Sequence, residues 1–385
     1  MEGRHLHEST LVTRSPSLQH GIVDAANSTH NQKSGSGSKF PPEIIEQIAD
    51  YAFSLTPPQK NYHGTLHSSK PPFTEVHGFM TASPALHEMG MIRWICVLTI
   101  RDREDWTVAL DRPGMIRELI CMDGVFDSDN HAVLQRFPHL HTVTVDSHSD
   151  VHKNPSGRFA YRDVFNSLPA NVLRLEIMCA HGPDLKIMEM VRTRCPKIEA
   201  LRLGRCTMFN RSNPCPFWLG FPLEHDAYMA SDGTDQYAHS AAQEIASLSQ
   251  LKHLRLGVYL VSSTAVLAHR AYHLRKEPAP ALINWQQALI DSAEHQDTSR
   301  PPEAAQLVDF YYRTQAMDAN FGPDSCSFCR DAFYNQSKDF ERGASTVMKT
   351  IVPSLETVEW MDWFSPSHLG ISRYEVKPPE DVAHS

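Results

Sequence analysis

Three groups of side chains in this chain have the types and spacing to do chemistry. Cys326-Ser-Phe-Cys329 is a Cys-x-x-Cys pair, which supplies two of four zinc ligands or half of a redox site. The chain holds no second such pair and no spaced histidine pair close behind it, so plain thiols are expected there. Asp146-Ser-His-Ser-Asp-Val-His152 gathers Asp146, His148, Asp150 and His152 within one loop. Divalent metals take such ligands, and a metal-dependent hydrolase is the activity they would serve. The plain alternative is a polar loop leaving a strand, because 22 histidines in the chain make local clusters ordinary. Arg202, Arg205, Lys252 and Arg255 form the third group, a basic patch within a chain whose formal charge is -9. An acidic peptide suits that patch better than nucleic acid, which needs a concentrated basic face. Gly-x-Ser-x-Gly, a phosphate loop, Gly-x-Gly-x-x-Gly and His-Glu-x-x-His are all missing from the sequence, so no catalytic residue, cofactor or metal site is assigned.

The elements that must position these groups repeat a phrase. Cys195-Pro-Lys-Ile-Glu-Ala-Leu-Arg-Leu reads as a turn into a short strand, with Leu201 and Leu203 on one face and Arg202 on the other. Pro138 opens the same phrase with Leu140, Val143 and Val145; Ser249 opens it with Leu251, Leu254 and Leu256; Pro353 opens it with Leu355, Val358 and Trp360. Looser copies run from Pro113 to Leu119 and Cys121 and from Pro169 to Leu175 and Ile177, and Trp94–Ile100 is an opening strand without the proline. One apolar position of the phrase gives a ruler: Leu98, Leu119, Val143, Leu175, Leu201, Leu254 and Val358. Helical or irregular returns are expected at residues 131–137, 161–168, 185–194, 241–248 and 345–352, each leading into an opener.

Ahead of the repeats, Phe40-Pro-Pro-Glu-Ile-Ile-Glu-Gln-Ile begins a helix running to Leu55. Its prolines suit a helix entrance, and Ile44, Ile48, Tyr51 and Leu55 form an apolar stripe. The stripe either packs on the chain's own next helix or docks on a partner. This opening resembles the F-box, usually written Leu-Pro-x-Glu-Ile-x-x-x-Ile: Pro41, Glu43, Ile44 and Ile48 match it, and Phe40 replaces the leucine. The resemblance implies that Phe40, Pro41, Glu43, Ile44, Ile45 and Ile48 contact a Skp-type adaptor of a cullin ubiquitin ligase. The family typically continues with Leu-x-x-Val-Cys-[Lys/Arg]-x-Trp, whereas residues 76–89, where Phe79, Met80, Leu86 and Met89 suggest two further helices, lack the basic residue and the tryptophan.

The spacing of the phrase resembles irregular leucine-rich-repeat proteins of the sort joined to an F-box-like start in filamentous fungi. The repeats are degenerate, with no asparagine ladder after the strands. The fold class implied is α/β, an irregular leucine-rich-repeat solenoid of parallel strands and helical arcs. On such a scaffold Arg202, Arg205, Lys252 and Arg255 lie on the concave side, where a protein target binds. The expected organisation is a disordered tail over 1–38, an F-box-like segment over 39–93, repeats over 94–364 and a C-terminal tail over 365–385. Inserts interrupt the repeats at about 207–240 and 261–342, with helices expected near Val266, Ala281 and Glu303. Reduced, scattered cysteines suggest a cytoplasmic or nuclear protein, and no stretch has the apolar length of a membrane span. The function expected is a non-enzymatic substrate receptor linking an unidentified protein target to a Skp-cullin ligase. The alternatives are a repeat scaffold without ligase attachment and the metal-dependent hydrolase.

Overall fold

The computed structural model describes residues 40–53, 70–127, 130–149, 151–153, 159–161, 163–181, 184–206, 234–261, 327–365 and 370–376. The expected tail over 1–38, most of both inserts, their three expected helices, Asp150 and Cys326 lie outside the described residues. Compactness divides the chain at Ile45. The described part of the first unit is residues 40–45, the entrance of helix α1 (Pro42–Ala52). There the Pro41 carbonyl accepts from the amides of Ile44 and Ile45 at 3.0 and 3.2 Å, so the prolines sit where a missing N–H costs nothing.

The second unit begins with the rest of α1 and continues through helices α2 (Phe73–Thr81) and α3 (Pro84–Ile95). Ser83 caps α3 by accepting the Leu86 amide at 3.2 Å, with Pro84 in the first turn. Phe53, Val76 and Met80 are buried together, with Phe79, Met91 and Trp94 packed around them. Gly90 makes that packing possible: a Cβ there would stand 2.7 Å from Met80 Cγ.

From Val97 onward the chain builds an open eight-stranded sheet whose strand order follows the chain. The strands are β1 (Val97–Ile100), β2 (Glu118–Cys121), β3 (Thr142–Asp146), β6 (Arg174–Ala180), β7 (Ala200–Arg205), β8 (His253–Tyr259), β9 (Thr357–Asp362) and β10 (Gly370–Glu375). All neighbours are parallel except β9 and β10. A separate antiparallel pair, β4 (Val151–Lys153) with β5 (Phe159–Tyr161), stands between β3 and β6 in the chain. The register aligns Leu98, Leu119, Val143, Leu175, Leu201, Leu254 and Val358 in one row. A second row, two residues on, holds Ile100, Cys121, Val145, Ile177, Leu203, Leu256 and Trp360. Apart from the partly buried Leu98 on the first strand, both rows are buried in one core.

The entry ends of the strands are built alike because the openers fold alike. The amides of Leu140, Val172, Ile198, Leu251 and Leu355 each bond to the carbonyl three residues back, which is a turn at every opener. One carbonyl per unit then accepts two amides of the next: Leu173 takes Glu199 at 2.7 Å and Ala200 at 3.0 Å, and Glu199 takes Lys252 at 2.8 Å and His253 at 3.0 Å. The returns carry the other side of the core. They are α4 (Asp105–Asp111), 3-10 turns at Val133–Arg136 and Asp163–Ser167, α5 (Asp184–Arg194), α6 (Thr234–Ile245) and α7 (Ser327–Ile351). Neighbouring returns from the first 3-10 turn to α7 touch in chain order, as the strands do.

Several boundaries differ from the sequence reading: α1 ends at Ala52, short of Leu55, and the opening strand starts at Val97, because Trp94 and Ile95 belong to the last turn of α3. Helix α6 starts at Thr234 instead of 241, since Ala238 extends the buried stripe of Ala241, Ala242 and Ile245. Helix α7 starts at Ser327, so its 25 residues absorb the last part of the expected second insert. The residues after 364 are no tail throughout, because β10 pairs antiparallel with β9 along its length. Tyr374 there donates to the buried Glu341 carboxylate of α7 at 2.7 Å, and Lys338 bonds both Glu341 at 3.0 Å and Asp362 at 3.1 Å. Burial pushes the Glu341 carboxyl up, and the Lys338 charge and the Tyr374 hydroxyl oppose it. The phrase of openers stops at Pro353, so it gave no sign of a reversed strand.

Candidate functional site

At the exit ends of the strands the regular ladder breaks. Between Ile177 and Ala180, β6 carries one residue more than β7 does between Leu203 and Arg205. This is a bulge, and Cys179 within it has φ 56, in the left-handed region that L side chains avoid. Gly204 stands opposite, where a Cβ would be 3.1 Å from the Ile177 carbonyl oxygen. The bulge sets what lies beyond it: Arg205 pairs with Ala180, and the Cys206 amide donates to the Ala180 carbonyl at 3.0 Å. His181 therefore leaves β6 beside Cys206. From the other side, the Ser147 amide donates to the Met178 carbonyl at 2.9 Å, which brings His148 to the same place.

The result is a cluster of His148, His181 and Cys206, one potential ligand atom from each lying within 4.8 Å of the others. His181 and Cys206 are buried, at 6% and 2% exposed, and the His148 and His181 rings meet with centroids 4.4 Å apart. Asp123, two residues beyond β2, extends the row of strand ends: its Oδ2 is 3.7 Å from His148 Nδ1. The Ser149 amide and hydroxyl hold that carboxylate at 2.8 and 3.0 Å. Burial pushes the Asp123 carboxyl up, but the nearby His148 ring and the bonds from Ser149 outweigh it and hold it below the ordinary value.

Of the loop ligands singled out in the sequence, His148 belongs to this cluster. Asp146 instead accepts the His148 amide at 3.2 Å and shapes the turn. Asp150 and the side chain of His152 lie outside the described residues, as do Cys326 and the side chain of Cys329, whose backbone is in the first turn of α7. His181 and Cys206 were not picked out from sequence. The signal was present: they follow Ile177 and Leu203 of the repeated phrase by four and three residues, as His148 follows Val145 by three. Superposing the phrases stacks His148 on Cys206, while His181 falls one position later and joins them only through the bulge in β6.

The basic patch is not an isolated cationic surface. Arg202 faces Glu176 at 3.6 Å across β6 and β7, Arg255 pairs with Glu359 across β8 and β9, and Lys252 stands 3.8 Å from Glu356. The register puts Glu176, Arg202, Arg255 and Glu359 in one cross-strand row. Glu176 and Glu359 are buried, so this row is an internal charge ladder more than a solvated face. Burial pulls the Arg255 guanidinium down and Glu359 opposes it. Arg205 ends β7, immediately before Cys206.

At the helical start, Ile48 is 45% and Tyr51 85% exposed, while Ala49 and Phe53 turn inward. In the first unit, Phe40 and Ile44 are also exposed. Arg93 of α3 fixes α1 from the side, bonding Asp50 at 2.6 Å and also Glu46. Trp94, next to it, packs edge-on against Phe73 at 5.4 Å, with the Lys70 ammonium 3.7 Å above its ring. Burial draws that ammonium down to about 8, the Arg101 charge adding to the effect and Cys96 opposing it. Among the described residues no helix is long and apolar enough to cross a membrane. No protein-family model, curated protein or solved structure matches the chain.

Proposed function

We propose that this protein is a non-enzymatic substrate receptor of the F-box-like kind, with a leucine-rich-repeat-like body. In this reading the residues from Phe40 through α3 engage a Skp-type adaptor of a cullin ligase, and the sheet with its inserts holds a protein target. The observation that carries it is the outward apolar side of α1. Helices bury apolar stripes by default, yet Ile48 and Tyr51 stay exposed while the neighbouring Ala49 and Phe53 face the helical core. The part played in ubiquitination is positioning. Arg202 and Arg255, already paired with Glu176 and Glu359, support the sheet in this reading, and the target surface moves toward the inserts and the strand exits.

The test is binding of the purified full chain to a Skp-type adaptor, beside an Ile44→Asp, Ile48→Asp variant. Binding by the wild type that disappears in a variant with unchanged near-UV dichroism is the expected result. A well-folded wild type that does not bind leaves a repeat scaffold without ligase attachment.

A further inference from the structure

We propose that His148, His181 and Cys206 bind a zinc ion that staples the exit ends of β3, β6 and β7. Two imidazoles and a thiolate are a ligand set for a borderline-soft transition ion, and they discriminate against magnesium and calcium, which take oxygen ligands. Tetrahedral zinc with bonds of about 2.0–2.3 Å holds its ligand atoms roughly 3.5 Å apart. Donors already within 4.8 Å of one another reach that spacing by small side-chain rotations. Three ligands leave the fourth position to water or another donor.

Two independent features fit the same assignment. The first is the bulge in β6, which holds Cys179 at φ 56. Without its extra residue Cys179 would pair with Arg205, and Ala180, not His181, would arrive beside Cys206. A left-handed non-glycine residue is an unfavourable conformation, and bulges of this kind re-aim side chains next to sites. The second is Asp123, held by two bonds from Ser149 and standing 3.7 Å from His148 Nδ1. A carboxylate behind a ligating histidine fixes its ring and directs the other nitrogen, Nε2, to the metal.

The experiment adds zinc alone, then cobalt as a spectroscopic stand-in, to chelator-treated full-length protein carrying Cys326→Ser and Cys329→Ser, which removes the other cysteine pair. One zinc per chain, a higher melting temperature on adding it and a near-UV thiolate-to-cobalt band are expected. Cys206→Ser should abolish the band, His148→Gln should weaken binding at least tenfold, and Asp123→Asn should weaken it about tenfold to a hundredfold. His148 is partly exposed, so its variant remains informative if Cys206→Ser disturbs the core. A folded protein that binds no zinc, or one whose binding is indifferent to Cys206→Ser and His148→Gln, overturns the assignment. Adaptor binding through α1 does not enter any of these readouts, so this result is separate from the receptor test.

Discussion

The two ends of the sheet contrast. At the entry end every unit repeats one solution: a turn at the opener, a carbonyl that accepts two amides from the next unit, and two rows of buried apolar side chains. At the exit end the units diverge, with a bulge in β6, a register shift between Leu256 and Tyr259 of β8, and polar side chains from four neighbouring strands gathered together. Two cysteines that flank β7 mark the difference. Cys195, at the entry, is buried against the Pro169 carbonyl at 3.5 Å, and burial pushes its thiol up to about 12. Cys206, at the exit, lies beside two histidines. The same residue type is inert filling at one end and a prospective ligand at the other. Repetition holds the fold together and leaves the opposite end free to vary.

That contrast can be broken or sharpened by substitution. Leu201→Ala removes a fully buried side chain from the entry-side row and should cost about 2–5 kcal/mol, read from the urea midpoint. Glu359→Gln leaves the Arg255 guanidinium largely buried without its counter-charge, and a loss of about 3 kcal/mol is expected in the same assay. Full stability in that variant would show that the charge row contributes shape and not electrostatics. At the exit, Cys179→Val places a β-branched residue at φ 56 and should cost about 1–2 kcal/mol, whereas Cys179→Gly should be neutral or slightly stabilising. A Cys179→Val loss larger than that of Leu201→Ala would reverse the comparison and make the exit end the stability-determining one.

How much could be read from sequence follows the same division. The whole entry-side register was legible, because apolar residues two apart with a turn signal ahead of them leave one way to align the strands. The three-helix start was legible from its prolines and stripe. The exit-side cluster was only half legible. His148 stood out in its own loop, but its partners come from other strands, and the bulge that aligns them has no local signature beyond Gly204. The pairing of Arg202 with Glu176 and of Arg255 with Glu359 was missed for a related reason. Glu176 and Glu359 occupy the same place in the phrase as the arginines, and the basic residues were read without the acidic ones beside them.

The reversal at β10 has a consequence for how copies of this protein meet. A parallel array presents at its last strand a row of unsatisfied amides and carbonyls that another chain can extend, which is a route to aggregation. Here the last strand in the order runs the other way and carries exposed Arg373 and Glu375 along its length. Charges at alternate positions of an edge make an incoming strand bring them out of water. The Lys338–Glu341–Tyr374 contacts that dock β10 thereby also fix a charged strand at this edge of the sheet.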